Sequence, residues 1–331
     1  MPIRHPAPRT PFHIVRMSHI ELGVTDLEAS RRFYVDILGL VETEQVGNTL
    51  YLRGLEERNH HSFVLTQMER PLVRRMGYKV SCEEDLDLLA ERFQQLGLPV
   101  AWAEPHGQGR TLQVRDPLGM PLEFCFHMEQ VPRMLQRYAH YRGCRPMRID
   151  HFNCFTPDVQ ASHDFYALEL GFRTTEYTET DDGREPPELW AVWMHRKGNV
   201  HDLAFTNGQG PRLHHVAVWA SSVNDILHLC DVMSTSGYLD HMERGPGRHG
   251  ISNAFFLYTR DPDGHRVEIY TGDYLTVDPD FEPIRWGLRD PQRQTLWGHP
   301  APRSWFEEGS LFEGVETLQP PQVQAEPIVA P

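Results

Sequence analysis

Glu268, His151 and His215 are the residues whose types and spacing first suggest chemistry. The stretch from His249 to Tyr270 reads as a hairpin. Phe255 to Tyr258 is a β-rich apolar run, Asp261-Pro-Asp-Gly264 carries turn residues, and Arg266 to Tyr270 resumes as a strand. Alternation puts Val267 and Ile269 on one face of that strand and Arg266, Glu268 and Tyr270 on the other. A carboxylate on a buried face is costly unless a cation meets it. Two further strand-like segments offer partners. In Arg148 to Phe155, His151 and Asn153 share a face; in Leu213 to Trp219, His215 shares a face with Leu213, Ala217 and Trp219, while His214 points away. Two histidines and one carboxylate from three strands suit a divalent iron site with open positions.

The elements that must carry these residues come as repeats. His19 to Tyr34, ending in Leu38-Gly-Leu40, lines up with His151 to Tyr166, ending in Leu170-Gly-Phe172. Both read as a strand, a turn and a helix, with Asp26 or Asp158 near the helix start and Gly at its end. The following strands are expected over 41–45 and 172–176. A second half-unit also occurs twice. Residues 77–80, a helix near 83–95 and 115–124 resemble residues 214–218, a helix near 223–234 and 260–269. The chain is therefore expected to be α+β, with four repeated βαβββ modules in two domains. The expected divisions are an N-terminal extension (1–14), a first domain (15–130), a linker (131–147), a second domain (148–285), an irregular lid (286–318) and a disordered tail (319–331). In the first domain His19 aligns with His151 and Glu123 with Glu268, while the slot of His215 falls to Tyr78. That half therefore lacks a third ligand, either as a decayed site or because His19 and Glu123 are structural.

The 331 residues are enough for two domains with a substantial core in each. A formal charge of −14 argues against nucleic acid or an anionic membrane as the main partner. Five cysteines without a CxxC pair suit reduced thiols, and no apolar run is long enough to span a bilayer. A cytoplasmic enzyme is the expectation.

The module pattern resembles the vicinal oxygen chelate (glyoxalase-like) superfamily. More closely, the run through Gly247, His249, Leu257-Tyr258, Asp261-Pro262, Gly264 and Glu268 resembles the type I extradiol catechol dioxygenases. Asp150 to Asn153, Trp193 to Asp202, Pro211 to His215 and Glu243 to Gly250 look most like the homoprotocatechuate (3,4-dihydroxyphenylacetate) 2,3-dioxygenase branch of that family.

This resemblance implies an activity: insertion of both atoms of O2 into a catechol with ring cleavage outside the diol. The implied reaction converts 3,4-dihydroxyphenylacetate to 5-carboxymethyl-2-hydroxymuconate semialdehyde. It makes His151, His215 and Glu268 the ligands of Fe(2+), with Mn(2+) left open by the triad. His201 becomes the acid/base that takes a catechol proton and returns it to oxygen. Tyr258 and Asn153 are placed to hydrogen-bond catechol or oxygen, and Trp193 to pack near the ring. Arg244 and His249, in a Gly- and Pro-rich loop, would meet the substrate carboxylate, with Arg248 competing for the role of Arg244. Where the family carries a pair of arginines, this chain has Arg293 followed by Gln294, so only Arg293 could serve. Trp286, Trp297 and Trp305 would contribute to the lid. A homotetramer is implied as the assembly. The alternatives left open are a different catechol, a glyoxalase-like reaction and a metal-free binding module.

Overall fold

The structure is a computed structural model describing Ile3 and residues 8–320; most of the expected extension's first half and all but the start of the expected tail fall outside the described residues. The first module is β1 (Ile14–Val24), α1 (Leu27–Arg31), β2 (Val41–Val46), β3 (Thr49–Arg53) and β4 (Phe63–Gln67). The second is β5 (Leu72–Val80), α2 (Glu84–Gln95), β6 (Val100–Ala103), β7 (Thr111–Arg115) and β8 (Pro121–Cys125). The third and fourth repeat this order: β9 (Pro146–Thr156), α3 (Val159–Asp164), β10 (Arg173–Glu179), β11 (Leu189–His195) and β12 (Leu203–Asn207), then β13 (Arg212–Ala220), α4 (Val223–Thr235), β14 (Met242–Arg248), β15 (Phe255–Arg260) and β16 (Arg266–Thr271). The four βαβββ modules are as the repeats imply.

Local chemistry sets the module boundaries. The Asp26 carboxylate accepts from the backbone N–H of Glu28 and Ala29, and Asp158 from that of Ala161, so each acid caps the helix it precedes. Both helices widen into a π-helical segment, Arg32–Leu38 and Phe165–Glu169. The chain then reverses at Gly39, at φ 100°, and at Gly171, at φ 70°, a left-handed backbone that favours glycine.

In each module the first and last strands pair in parallel, and two modules join antiparallel through their first strands. The first sheet runs β2-β3-β4-β1-β5-β8-β7-β6. The second runs β14-β15-β16-β13-β9-β12-β11-β10 and is extended at β10 by β17 (Ile284–Gly287), while β18 (Ser310–Leu311) pairs with β13. The segment 286–318, expected to be irregular, thus contributes to two strands and holds two short helices, α5 (Pro291–Gln294) and α6 (Arg303–Glu307).

One continuous core replaces the expected separate core in each domain. Its buried side chains run without interruption from Ile14 and Tyr78 in the first domain to Phe152, Phe255 and Phe312. Exchanged contacts across the boundary explain this. Tyr34, in the first π-helical segment, donates its hydroxyl to Asp261 of the second domain at 3.0 Å, and Tyr166, its repeat, donates to Asp116 of the first at 3.2 Å. Segment 131–147 is likewise anchored rather than loose: the N–H groups of Val131, Met134 and Cys144 donate to Arg58, Leu55 and Leu38 of the first domain.

Arg266 is fully buried and bound to the Glu243 carboxylate at 2.5 and 2.9 Å, with carbonyls of His214, Ser304 and Glu308 taking its other N–H groups. It ties β16 to β14, β13 and the C-terminal segment. Against the upward push of burial, the hydrogen bonds from Arg266 and Arg260 pull the Glu243 carboxyl down to about 2. Its folded value therefore lies below its unfolded one, so the stabilisation is present above about pH 4.5 and is lost as pH falls towards 2. The variant Glu243→Ala leaves Arg266 buried without its counter-ion and is expected to lose about 3–5 kcal/mol of stability in denaturant melts near neutral pH. That deficit relative to the parent should shrink as pH is lowered through the same window.

Candidate metal centre

Strand pairing, rather than sequence proximity, assembles the site. In β15–β16, Tyr258 lies directly opposite Glu268; in β13–β16, Ala217 lies beside Glu268; and in β9–β13, Ala217 lies opposite His151. Between Leu213 and His215 the β9–β13 register shifts, leaving His214 as the extra residue of a β-bulge. The bulge corrects the expectation that His214 points away. Its ring is buried beside that of His215, with Nδ1 to Nδ1 at 2.6 Å.

The hydrogen bonds behind the rings determine which nitrogens face inward. His214 Nε2–H donates to the Trp305 carbonyl at 2.7 Å, so His214 Nδ1 carries a lone pair that accepts from His215 Nδ1–H. His151 Nδ1–H donates to the Asp150 carboxylate at 3.1 Å, and Asp150 is itself held by Tyr270 OH and Lys197. His215, held down to about 4 chiefly by burial, is neutral and turns an Nε2 lone pair towards Glu268, and His151, bound at Nδ1 to Asp150, turns its Nε2 to the same oxygen. His151 Nε2 is 3.0 Å and His215 Nε2 is 3.1 Å from Glu268 Oε2, and the two nitrogens are 3.3 Å apart. Three electron-pair donors at such separations repel unless a cation sits among them. Ligand bonds of about 2.1 Å at right angles would space adjacent ligand atoms by about 3.0 Å. The donor set fits a divalent metal, and His151, His215 and Glu268 form a metal-binding triad.

The triad opens into a cavity of about 540 Å³, counted out to its mouth. Asn153, Trp193, His201, His249, Tyr258 and Arg293 all line it, with Gln294 and Trp305 of the expected lid segment, as do Trp190, Thr206 and Tyr270, which sequence reasoning did not assign to it. His201 packs against His151 with ring centroids 3.8 Å apart and the planes tilted by 40°, and its buried Nδ1 has no hydrogen-bond partner. Burial holds its pKa well below 6.5, so the ring is neutral near pH 7. Thr206 donates to Asn153 Oδ1 at 3.3 Å, which leaves the amide N–H groups of Asn153 for the cavity. His249 Nδ1 donates to the Gln294 carbonyl, and its Nε2 accepts from Tyr258 OH at 3.0 Å. Burial, then Arg244, hold His249 down to about 3.

The expected carboxylate contacts separate. Arg293 is on the cavity wall, over the Trp190 ring at 5.1 Å, with its Nε unpartnered. Arg244 is one layer back among Phe256, Tyr258 and Trp305; Nη2 donates to Thr295 and the Gln294 carbonyl, and Nε and Nη1 have no partner. Arg248 is outside the cavity lining and donates to the Asn253 carbonyl. Of the three lid tryptophans, Trp305 lines the cavity and Trp286 donates to buried Glu176, whereas Trp297 is half exposed.

Among the described residues, the first domain has no equivalent centre. Gly77 occupies the place of Ala217, opposite His19 and beside Glu123, and a bulge at Arg74 matches that at His214. The counterpart of His215 is therefore Arg75. Tyr78, expected in that slot, is buried among Phe124, Phe152 and Phe172. The two positions differ by three residues, and an odd offset exchanges the faces of a strand. Glu123 takes hydrogen bonds from His19 at 2.9 Å, Gln108 at 3.0 Å and Gln113 at 2.7 Å, and faces Arg75 at 3.5 Å. A fixed cation and three donors satisfy the carboxylate there.

Residues 16–124 and 148–269 match the model of the Glyoxalase/Bleomycin resistance protein/Dioxygenase superfamily. The chain belongs to this superfamily. A manganese-dependent 2,3-dihydroxybiphenyl 1,2-dioxygenase of Geobacillus genomosp. 3 is 35% identical over 87% of this chain and 94% of its own. Among solved structures, the homoprotocatechuate 2,3-dioxygenase of Arthrobacter globiformis is 45% identical, covering 93% of this chain and 95% of its own, with a TM-score of 0.88. That of Brevibacterium fuscum, in an anaerobic complex with 3,4-dihydroxyphenylacetate, is 44% identical, covering 96% of this chain and 99% of its own, with a TM-score of 0.89.

Two variants test the reading of the centre. Glu268→Gln should abolish stoichiometric retention of Fe(II) through desalting, measured by elemental analysis. His214→Leu frees the His215 ring to rotate, and should weaken metal affinity by about 10–100-fold in a chelator competition.

Proposed function

We propose that this protein is an extradiol dioxygenase acting on a catechol with a carboxylate side chain, 3,4-dihydroxyphenylacetate, and that it releases 5-carboxymethyl-2-hydroxymuconate semialdehyde. Ring-cleaving dioxygenase activity follows from the family, the triad and the kinship described above. The observation that carries the substrate assignment is Arg293: a buried guanidinium with an open N–H, on the wall of the cavity that holds the triad. Burial without a counter-ion holds its pKa down to about 10, and an incoming carboxylate would satisfy it. Arg244 acts from the layer behind, and its contacts to Tyr258 and the Gln294 carbonyl keep the wall in place.

Fe(2+), or Mn(2+), held by His151, His215 and Glu268, supplies the redox chemistry by which a closed-shell catechol reacts with triplet oxygen. The side chains do the rest. His201, with no hydrogen-bond partner at Nδ1, takes a proton from a catechol hydroxyl and returns it to oxygen as the ring opens. Tyr258 OH donates to a catechol oxygen once it leaves His249, and the Asn153 amide donates into the same space. Trp193 and Trp190 flank the ring, and Trp305 with Gln294 keeps bulk water out. Homotetrameric assembly and a cytoplasmic setting belong to the same reading; no helix among the described residues is long and apolar enough to cross a membrane.

A bulkier aryl catechol is the second reading, favoured by the wall of Trp190, Trp193 and Ile251. The deciding experiment loads the protein anaerobically with Fe(II), then adds oxygen with 3,4-dihydroxyphenylacetate, catechol or 2,3-dihydroxybiphenyl and follows the yellow semialdehyde. The carboxylated substrate is expected to turn over with the highest kcat/KM; preference for the biphenyl would overturn the substrate assignment. His201→Gln should lower kcat by about 10²–10⁴-fold. Arg293→Gln should raise KM for the carboxylated substrate by about 10–100-fold and leave that for plain catechol unchanged.

A further inference from the structure

Among the described residues, a second cluster, in the first domain, brings imidazole and carboxylate atoms together. Glu44 is on β2, His60 in the loop before β4, and His106 in the loop between β6 and β7. His60 Nε2 is 2.7 Å and His106 Nε2 is 2.6 Å from the same oxygen, Glu44 Oε1. Tyr51 packs against both rings, with centroids 5.2 Å away. Gly107, at φ +72°, lets the chain pass close enough to seat His106 here, since a Cβ on it would be 2.5 Å from His60 Nδ1.

A chain of hydrogen bonds decides the tautomer of His60. The Gln108 amide nitrogen faces the Glu123 carboxylate at 3.0 Å, so its oxygen must face His61 Nε2, 3.0 Å away, which is therefore N–H. His61 is buried, with no carboxylate in hydrogen-bond contact, and burial holds it down to about 3, so it is neutral and its Nδ1 is a lone pair. His60 Nδ1, at 2.9 Å, must then be the donor. A neutral His60 is left with an Nε2 lone pair aimed at a carboxylate oxygen. The arrangement repeats that of His214 and His215: one histidine, locked from behind, orients the next.

We propose that Glu44, His60 and His106 form a second binding site for a divalent transition-metal ion. Two imidazoles and one carboxylate favour Zn(II), Ni(II) or Co(II) over Mg(II) or Ca(II), which prefer oxygen ligands. His106 and Glu44 are partly exposed, with side-chain exposures of 46% and 40%, so water completes the coordination. The ion would clasp β2 to two loops of the first domain, independently of the ring-cleaving chemistry.

The test is a chelator competition titration with Zn(II) alone on the full-length protein, the variant His106→Ala and the variant Glu44→Gln. Both substituted side chains are partly solvent-exposed, and circular dichroism checks that the variants fold. The parent is expected to bind one equivalent more than either variant, with the triad's equivalent retained in all three. Equal stoichiometry and affinity in the three proteins would overturn the proposal and leave Glu44, His60 and His106 as a hydrogen-bonded cluster.

Discussion

Mutual repulsion among three electron-pair donors is the constraint on which the rest of the second domain depends. His151 Nε2, His215 Nε2 and Glu268 Oε2 are held within 3.3 Å of one another, and a divalent cation among them relieves that repulsion. The fold resists relief by ring rotation because each imidazole is pinned on its far side. Asp150 pins His151, and His214, itself fastened to the Trp305 carbonyl, pins His215. The C-terminal segment is therefore part of the metal centre, although it supplies no ligand. Arg266 joins the same arrangement from below by holding the His214, Ser304 and Glu308 carbonyls.

The two domains show one scaffold resolving one buried carboxylate in two ways. At Glu268 two histidines complete a metal-binding triad beneath an open cavity. At Glu123 the guanidinium of Arg75 and donors from His19, Gln108 and Gln113 provide a permanent solution. The same bulge precedes both positions, so the difference arises from side chains rather than backbone. A shared core and exchanged tyrosines nevertheless tie the first domain to the second.

Much of this was legible in the amino-acid sequence because periodicity and capping are local properties. The alternating run Arg266 to Tyr270, the acids at 26 and 158 and the glycines at 39 and 171 act through neighbours a few residues away. Module order, the hairpin that carries Tyr258 and Glu268, and the identity of the three ligands follow from such patterns together with the resemblance they carry. Register was not legible. A bulge adds one residue without a composition of its own, so His214 was misplaced and Tyr78 was assigned a position that belongs to Arg75.

The sequence by itself determined which residues could bind a metal and on which repeated elements they would sit, since strand alternation and helix capping are decided within each segment. Tertiary structure alone decided which lone pairs meet, because tautomer and orientation depend on partners 50 to 120 residues away, such as Trp305 behind His214 and Tyr270 behind Asp150. It also decided that Arg293 faces the cavity while Arg244 stands behind its wall and Arg248 outside it. Burial and charge satisfaction are properties of the assembled whole, and no single stretch of chain encodes them.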